Sequence, residues 1–249
     1  MLLISDLHLH PSRPDITSAL SWFLRSVAPY SASLYILGDL FETWIGDDAP
    51  NPLGDQVAKE LRDLADRGTA IHLMHGNRDF LIGQDYAKRC GAALVDEPLV
   101  IDVGNRKIAL LHGDVLCTLD TDYLEFRTTV RNLEWQNSFL SKSVAERQEF
   151  AARARAQSKK AIADANAEIM DVTESAVIEM FQRLQIDIMI HGHTHRPAEH
   201  VIADSQDQKD SGHNSRRRIV LGDWDRFGWY GRVDEKGKAS LQKFELTQQ

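Results

Sequence analysis

Asp6 and His8 stand one residue apart, as do His193 and His195, and between these pairs come Gly38-Asp39, Gly76-Asn77-Arg78-Asp79 and His112-Gly113-Asp114. Each motif is weak by itself, because a solitary His or Asp is most often a surface or packing residue. In this order, and each behind a short apolar run, they form a set. Side chains two apart on an extended segment point the same way, so Asp6 with His8, and His193 with His195, can each present neighbouring donors to one site. Carboxylate, imidazole and amide oxygen make a mixed O/N set suited to Mn²⁺, Fe²⁺ or Zn²⁺ rather than Ca²⁺ or a thiolate-bound ion. The two oxygens of Asp39 can bridge two ions. Seven ligands, one of them bridging, then describe a dinuclear metal centre.

The elements that must position these residues are legible in the same way. Leu2–Ile4, Leu34–Leu37, Ala70–Met74, Ile108–Leu111 and Ile186–Ile190 are apolar runs that stop at Asp, Asn or His, as buried strands do when their C-terminal ends deliver polar residues to loops. Helical patterns at Thr17–Val27 and Gln56–Arg67, the second followed by Gly68 as a C-cap, predict α/β organisation with parallel pairing. Gly104-Asn105 marks a hairpin inside Leu99–Leu111. Short runs at Glu199–Ala203, Arg218–Leu221, Gly228–Val233 and Ser240–Leu246 predict a β-rich finish, hence two sheets. Leu119–Met180 lacks Pro and Gly, is rich in Ala, Glu, Arg, Lys and Gln, and reads as a helical insertion. Asp204–Arg217 reads as a polar loop.

The chain has 249 residues and a net charge of −8, with 43% hydrophobic residues, which excludes disordered and collagen-like classes and gives no electrostatic footprint for a duplex nucleic-acid binder. One stretch runs the other way. Lys142, Arg147, Arg153, Arg155, Lys159 and Lys160 outnumber Glu146 and Glu149, as on a solvated helix face. Cys90 and Cys117 have no metal-ligand spacing and read as buried small hydrophobes in a reducing compartment. No apolar run reaches the length of a membrane span and no signal peptide is visible, so a cytoplasmic location is expected.

The series Asp6-Leu-His8, Gly38-Asp39-Leu, Gly76-Asn77-Arg78-Asp79, His112-Gly113-Asp114 and Gly192-His193-Thr194-His195 resembles the calcineurin-like metallophosphoesterases. The resemblance implies an α/β, two-sheet β-sandwich flanked by helices. It covers the chain as a single domain, 1–249, with a helical substrate-binding cap inserted at about 119–170. It further implies Asp6, His8, Asp39 and His195 on one divalent ion and Asp39, Asn77, His112 and His193 on the other, with Mn²⁺ the usual metal. His191 then either supports the site from outside or is structural, and His10, His72, His75, His200 and His213 are surface or packing residues. Asp47 and Asp48 either orient ligands or lie in a solvated loop.

Arg78 stands where many relatives carry a His. A guanidinium cannot donate a proton near neutrality but can pair with phosphate fork-to-fork and stabilise charge. Gly-Asn-Arg-Asp-Phe, Leu37 to Asp48, His112 to Thr118, Ile169 to Val172 and His191 to Pro197 resemble the branch of this family that hydrolyses UDP-2,3-diacylglucosamine in lipid A synthesis. That resemblance implies Asp39 and Arg78 in catalysis, and substrate contacts from Asn77, Arg78, Asp120, Ser158 and His193. Ile162 and Ala165 depart from the branch pattern. Either Lys159, Lys160 or Asn166 replaces those contacts or sugar-phosphate recognition is weakened. Tyr123, Leu124, Phe126, Leu133, Trp135, Phe139, Leu140 and Phe150 are candidates for an acyl receptacle, with packing of a helical hairpin as the alternative. Peripheral contact with the cytoplasmic face of an inner membrane is expected, and no nucleic acid or protein partner. The competing readings are another dimetal phosphodiester or nucleotide diphosphate hydrolase on this fold, or a metal-free binding scaffold.

Overall fold

The computed structural model describes residues 1–164, 171–202 and 215–246, the side chains of 159–164 excepted. Ala165, Asn166, His213 and most of the expected loop Asp204–Arg217 lie outside the described residues, as do the side chains of Lys159, Lys160 and Ile162.

The first half alternates β1 (Leu2–Ile4), α1 (Pro14–Ser26), β2 (Ser33–Leu37), α2 (Pro52–Asp66), β3 (Ala70–Met74), α3 (Gln84–Cys90) and β4 (Ala92–Val95). The hairpin β5 (Leu99–Val103) and β6 (Arg106–Leu111) follows, then α4 (Thr121–Val130), α5 (Leu133–Leu140), α6 (Val144–Asp164) and α7 (Glu174–Leu184). β7 (Ile188–His191), β8 (Ala198–Ile202), β9 (Arg216–Val220), β10 (Phe227–Val233) and β11 (Ala239–Glu245) complete the order. One sheet has six strands in the order β11-β10-β1-β2-β3-β4, and the other five in the order β5-β6-β7-β9-β8. β1 to β4 are parallel, with Leu3 opposite Tyr35, and β10 joins β1 antiparallel.

Period-two alternation makes the two faces of each strand serve different layers. Leu3, Tyr35, Leu37 and Met74 meet Ile108, Leu110, Ile188, Ile190 and Ile219 between the sheets. Their neighbours Leu2, Ile4, Leu34, Ile36, Ile71 and Leu73 turn outward onto Phe23, Leu61, Leu64 and Tyr86 of the first three helices. Ala109, Leu111 and Met189 face Val177, Met180 and Phe181 of α7. Four layers result, helix, sheet, sheet, helix, which is why the apolar runs are continuous rather than alternating.

Three expectations need correction. α3 and β4 carried no sequence signal strong enough to be assigned. Met180 belongs to a helix packed on the second sheet, so the inserted helices stop before α7. Ile186 precedes β7, and β9 begins at Arg216, inside the stretch expected as loop.

Candidate metal centre

The C-terminal ends of β1, β2, β3, β6 and β7 converge. Trailing chain after β1 runs beside trailing chain after β2, with Asp6 N donating to Gly38 O at 3.2 Å and His8 N to Asp39 O at 3.0 Å. Asp6 and His8 are not on an extended segment as expected. Asp6, His8, Asp39, His193 and His195 all have left-handed backbone, with φ of 55°, 49°, 52°, 69° and 54°. Asp and His are among the residues that tolerate that region, at a cost the surrounding packing must offset. The kinks send each pair to different neighbours: His195 turns to Asp6 and His8, while His193 turns to Asn77 and His112. Gly76 and Gly192 permit the close approach, since a Cβ at either would collide with the carboxylate of Asp39 or of Asp6.

All seven candidate ligands come together. His8 Nε2 is 3.8 Å from Asp39 Oδ2, and His112 Nε2 is also 3.8 Å from that oxygen. Asn77 Oδ1 lies 3.0 Å from His112 Nε2 and 3.1 Å from His193 Nδ1. His195 Nε2 is 3.5 Å from Asp6 Oδ1 and 3.2 Å from His8 Nε2. Asp39 thus stands between two groups of donors.

The donor set fits divalent cations on physical grounds. Asp6 and Asp39 are buried, and among the described residues their ion-pair partners are histidines only. Buried carboxylates need a compensating charge. Nδ1 of His8 faces Glu42 Oε2 at 3.0 Å, and Nδ1 of His195 faces Asp223 Oδ2 at 3.6 Å. Each ring thus has a carboxylate near Nδ1, while the two Nε2 atoms lie 3.2 Å apart on the cluster side, an arrangement a cation relieves. His112 Nδ1 donates to Leu37 O at 2.9 Å, leaving its Nε2 to face the cluster. Burial opposes charge on His112, but Asp39 and Asp6 push its pKa up to about 9. Burial, then His112, pushes His193 down to about 4.

Several supporting residues carried no assigned role in the sequence. Asp79, fully buried, accepts from the amides of Gly76 (2.8 Å), Leu40 (2.8 Å) and Asp39 (3.2 Å), tying the β3 loop to the β2 loop. Burial and then the Asp39 charge raise its pKa to about 6. Asp114 accepts from Arg127 Nε of α4 at 2.8 Å and from the Tyr123 hydroxyl. Burial opposes its ionisation, but His112 and Arg127 lower its pKa. Glu42 was embedded in a quoted motif without a role. Asp223 had a signal, since Leu221-Gly222-Asp223 repeats Leu37-Gly38-Asp39 at the end of another strand.

Around this centre, Arg78 donates its backbone N–H to Asp39 Oδ1 at 2.8 Å, and its Nε is buried without a partner. Tyr123 lies parallel to His193 with centroids 6.0 Å apart. Asp120 caps α4 by accepting from Tyr123 N at 3.1 Å, and Ser158 is half-buried on α6. His191 lies outside the donor cluster: its Nε2 is 3.1 Å from Arg218 Nη1, its Nδ1 2.9 Å from Gly192 O, and burial holds its pKa near 3. His72 stacks on Tyr35 and His75 meets Ile82 O, while His10 contacts Ser12 and His200 is exposed on β8.

Asp47 and Asp48 touch none of the candidate ligands. Asp47 accepts from Gly83 N and Tyr86 N at the start of α3, at 2.9 and 2.8 Å. Asp48 takes a two-pronged pair from the buried Arg147 of α6, at 2.7 and 2.5 Å. The basic stretch is therefore not a free solvated face. Arg147 is bound to Asp48, Arg155 to Glu42 and Thr43, and Arg153 to Glu149. The apolar candidates also divide. Trp135, Phe139 and Phe150 stack among themselves at 4.9–5.6 Å, as helix packing, whereas Phe126, Leu133 and Leu140 are exposed.

Residues 1–197 match the family described as Calcineurin-like phosphoesterase. A UDP-2,3-diacylglucosamine hydrolase of Cellvibrio japonicus is 52% identical, over 92% of this chain and 92% of its own length. Proteins of the same name are 49% identical in Hahella chejuensis, over 95% and 94% of the two chains, and 48% identical in Marinobacter nauticus, over 99% and 98%. With the helix–sheet–sheet–helix architecture and the donors at the strand ends, these likenesses show that the chain belongs to the calcineurin-like phosphoesterase family.

Proposed function

We propose that this protein is a metal-dependent hydrolase that cleaves UDP-2,3-diacylglucosamine to UMP and 2,3-diacylglucosamine 1-phosphate in lipid A synthesis. The observation that carries the chemistry is the Asp39 carboxylate oxygen, 3.8 Å from an imidazole nitrogen on each side. The shared name of the relatives supports the substrate.

Asp6, His8, Asp39 and His195 would hold one divalent ion and Asp39, Asn77, His112 and His193 the other, with Mn²⁺ the proposed metal. When bound, such a pair supplies a water nucleophile at neutral pH and neutralises charge on phosphoryl oxygens. The Glu42 and Asp223 carboxylates beside Nδ1 of His8 and His195 would hold the rings so that each Nε2 faces inward. Arg78, with its unpartnered Nε, offers a guanidinium to the diphosphate as charge builds. It does not move a proton. None is required of it, because the leaving sugar phosphate is already a stable anion.

Asp120, Ser158, Asn77 and His193 are proposed to contact the sugar-phosphate half. We further propose that the chain is one domain, 1–249, with α4 to α6 as a cap over the centre. The exposed Phe126, Leu133 and Leu140 favour acyl chains or a lipid surface there. Peripheral contact with the cytoplasmic face of the inner membrane follows as a proposal. No helix among the described residues is long and apolar enough to cross a membrane.

The test is a Mn²⁺-dependent assay of UDP-2,3-diacylglucosamine beside CDP-diacylglycerol and a dinucleoside tetraphosphate. Turnover of the first alone is expected. Preferred cleavage of either other compound replaces the substrate assignment with another dimetal phosphohydrolase activity.

A further inference from the structure

A cavity of about 520 Å³ opens beside the donor cluster, lined by Asp6 and His8 of that cluster and by Ser12, Arg13, Asp223 and Asp225. Its size is that of a small-molecule site. The rim is built rather than accidental. Arg13 Nη1 donates to Asp225 Oδ1 at 2.8 Å and Nη2 to Asp225 O at 2.9 Å, stapling the loop after β1 to the loop between β9 and β10. Trp224 N donates to Asp6 O at 3.2 Å, fixing that second loop to the first candidate ligand.

The lining decides what fits. Arg13 is paired with Asp225 and Arg155 with Glu42, and Asp6 belongs to the candidate metal centre, so the lining is polar with its charges largely matched, and neither an acyl chain nor a further phosphate is suited to it. A neutral, hydroxyl-rich group is. Carboxylate acceptors suit ribose hydroxyls, and Ile16, Leu7 and Trp224 supply an apolar floor for a flat base.

A diphosphate diester has two organic halves. Tyr123 and Asn77 mark the flank of the cluster beside His193 and His112, where α4 approaches. The cavity opens on the other flank, at His8. We infer that the cavity between the β1–α1 loop and Asp223–Asp225 seats the nucleoside half of the substrate, across the donor cluster from α4. This inference rests on the proposed diphosphatase activity and assigns one of its two subsites.

Photo-crosslinking places the ligand directly. The Mn²⁺-loaded full chain is irradiated with 5-iodouridine 5′-monophosphate and the adducts are mapped by mass spectrometry. Adducts within residues 8–16 or 223–225, with or without Arg155, suppressed by excess UMP, are expected; adducts that miss both loops overturn the assignment. As a second measurement, Ser12→Tyr places a ring at the exposed mouth. It should weaken UMP binding by tenfold or more in calorimetry while changing the affinity for 2,3-diacylglucosamine 1-phosphate by less than about twofold. The reverse pattern, or no change in either, overturns the inference. An unmodified enzyme that hydrolyses the diphosphate but crosslinks elsewhere sinks the cavity alone. One that neither hydrolyses it nor binds UMP sinks the activity as well.

Discussion

At the residue scale, the seven donors were legible because the chemistry needs particular atoms, and His, Asp and Asn supply them whatever the backbone does. The way the backbone supplies them was not. Five candidate ligands sit at positive φ, and neither spacing nor residue type announces that. The period-two argument for Asp6 with His8 therefore reached the right residues through the wrong local geometry. Asp39 is the sharpest place to test the outcome, because one of its oxygens lies 3.8 Å from a histidine of each donor group. Asp39→Ala should abolish hydrolysis and reduce bound metal to fewer than two ions per chain, read by elemental analysis after gel filtration. The fold should persist in circular dichroism, since the variant also removes a buried carboxylate. Full metal content with full activity would remove Asp39 from the centre.

At the element scale, a helical insertion could be read from composition, but its attachment could not. The buried guanidinium of Arg147 reaches Asp48 and the Ile45 carbonyl, about a hundred positions away in the chain, and no local pattern encodes such a pairing. Arg147→Ala leaves that carbonyl without its partner and opens a gap beside Gly46. A loss of about 1–3 kcal/mol is expected, concentrated as faster proteolysis within α5 and α6 while the sheets stay protected. Uniform destabilisation of the whole chain would show that the helices unfold together with the body. α3 poses a different problem. Gly83 and Gly91 bracket it, but it is short, and its last residue Cys90 is fully buried. Burial pushes the thiols of Cys90 and Cys117 up to about 12. Between their ordinary values near 9 and that limit, the native thiols keep protons that the unfolded chain releases. Stability is therefore lost as pH rises through this window, by about 1.4 kcal/mol per unit for each thiol at most. At pH 8 neither cysteine should react with iodoacetamide until the protein is unfolded. Rapid alkylation of the native protein would contradict this placement.

At the scale of the whole molecule, the family match and the folding unit have different lengths. The match ends at residue 197, after the last candidate ligand, so a chain cut there keeps all seven donors. The topology nevertheless makes the remainder indispensable. β1, the strand that delivers Asp6, lies between β2 and β10, and Met1 O accepts from Val233 N at 3.0 Å. Ile219, Leu221, Val233 and Ala239 fill the space between the sheets against Leu3 and Ile190. Without β8 to β11, β1 becomes an edge, the inter-sheet layer loses a side, and Asp223 no longer faces His195. Burial of an aliphatic side chain contributes about 1.5–3 kcal/mol. Removal of these residues therefore costs an amount comparable to the whole stability of an ordinary domain, about 5–15 kcal/mol. A chain ending at Pro197 should be recovered insoluble or, if soluble, should lack a cooperative thermal transition and bind no Mn²⁺ above background. A cooperative transition together with two bound ions would show that the catalytic half folds independently and that the C-terminal strands are an accessory layer.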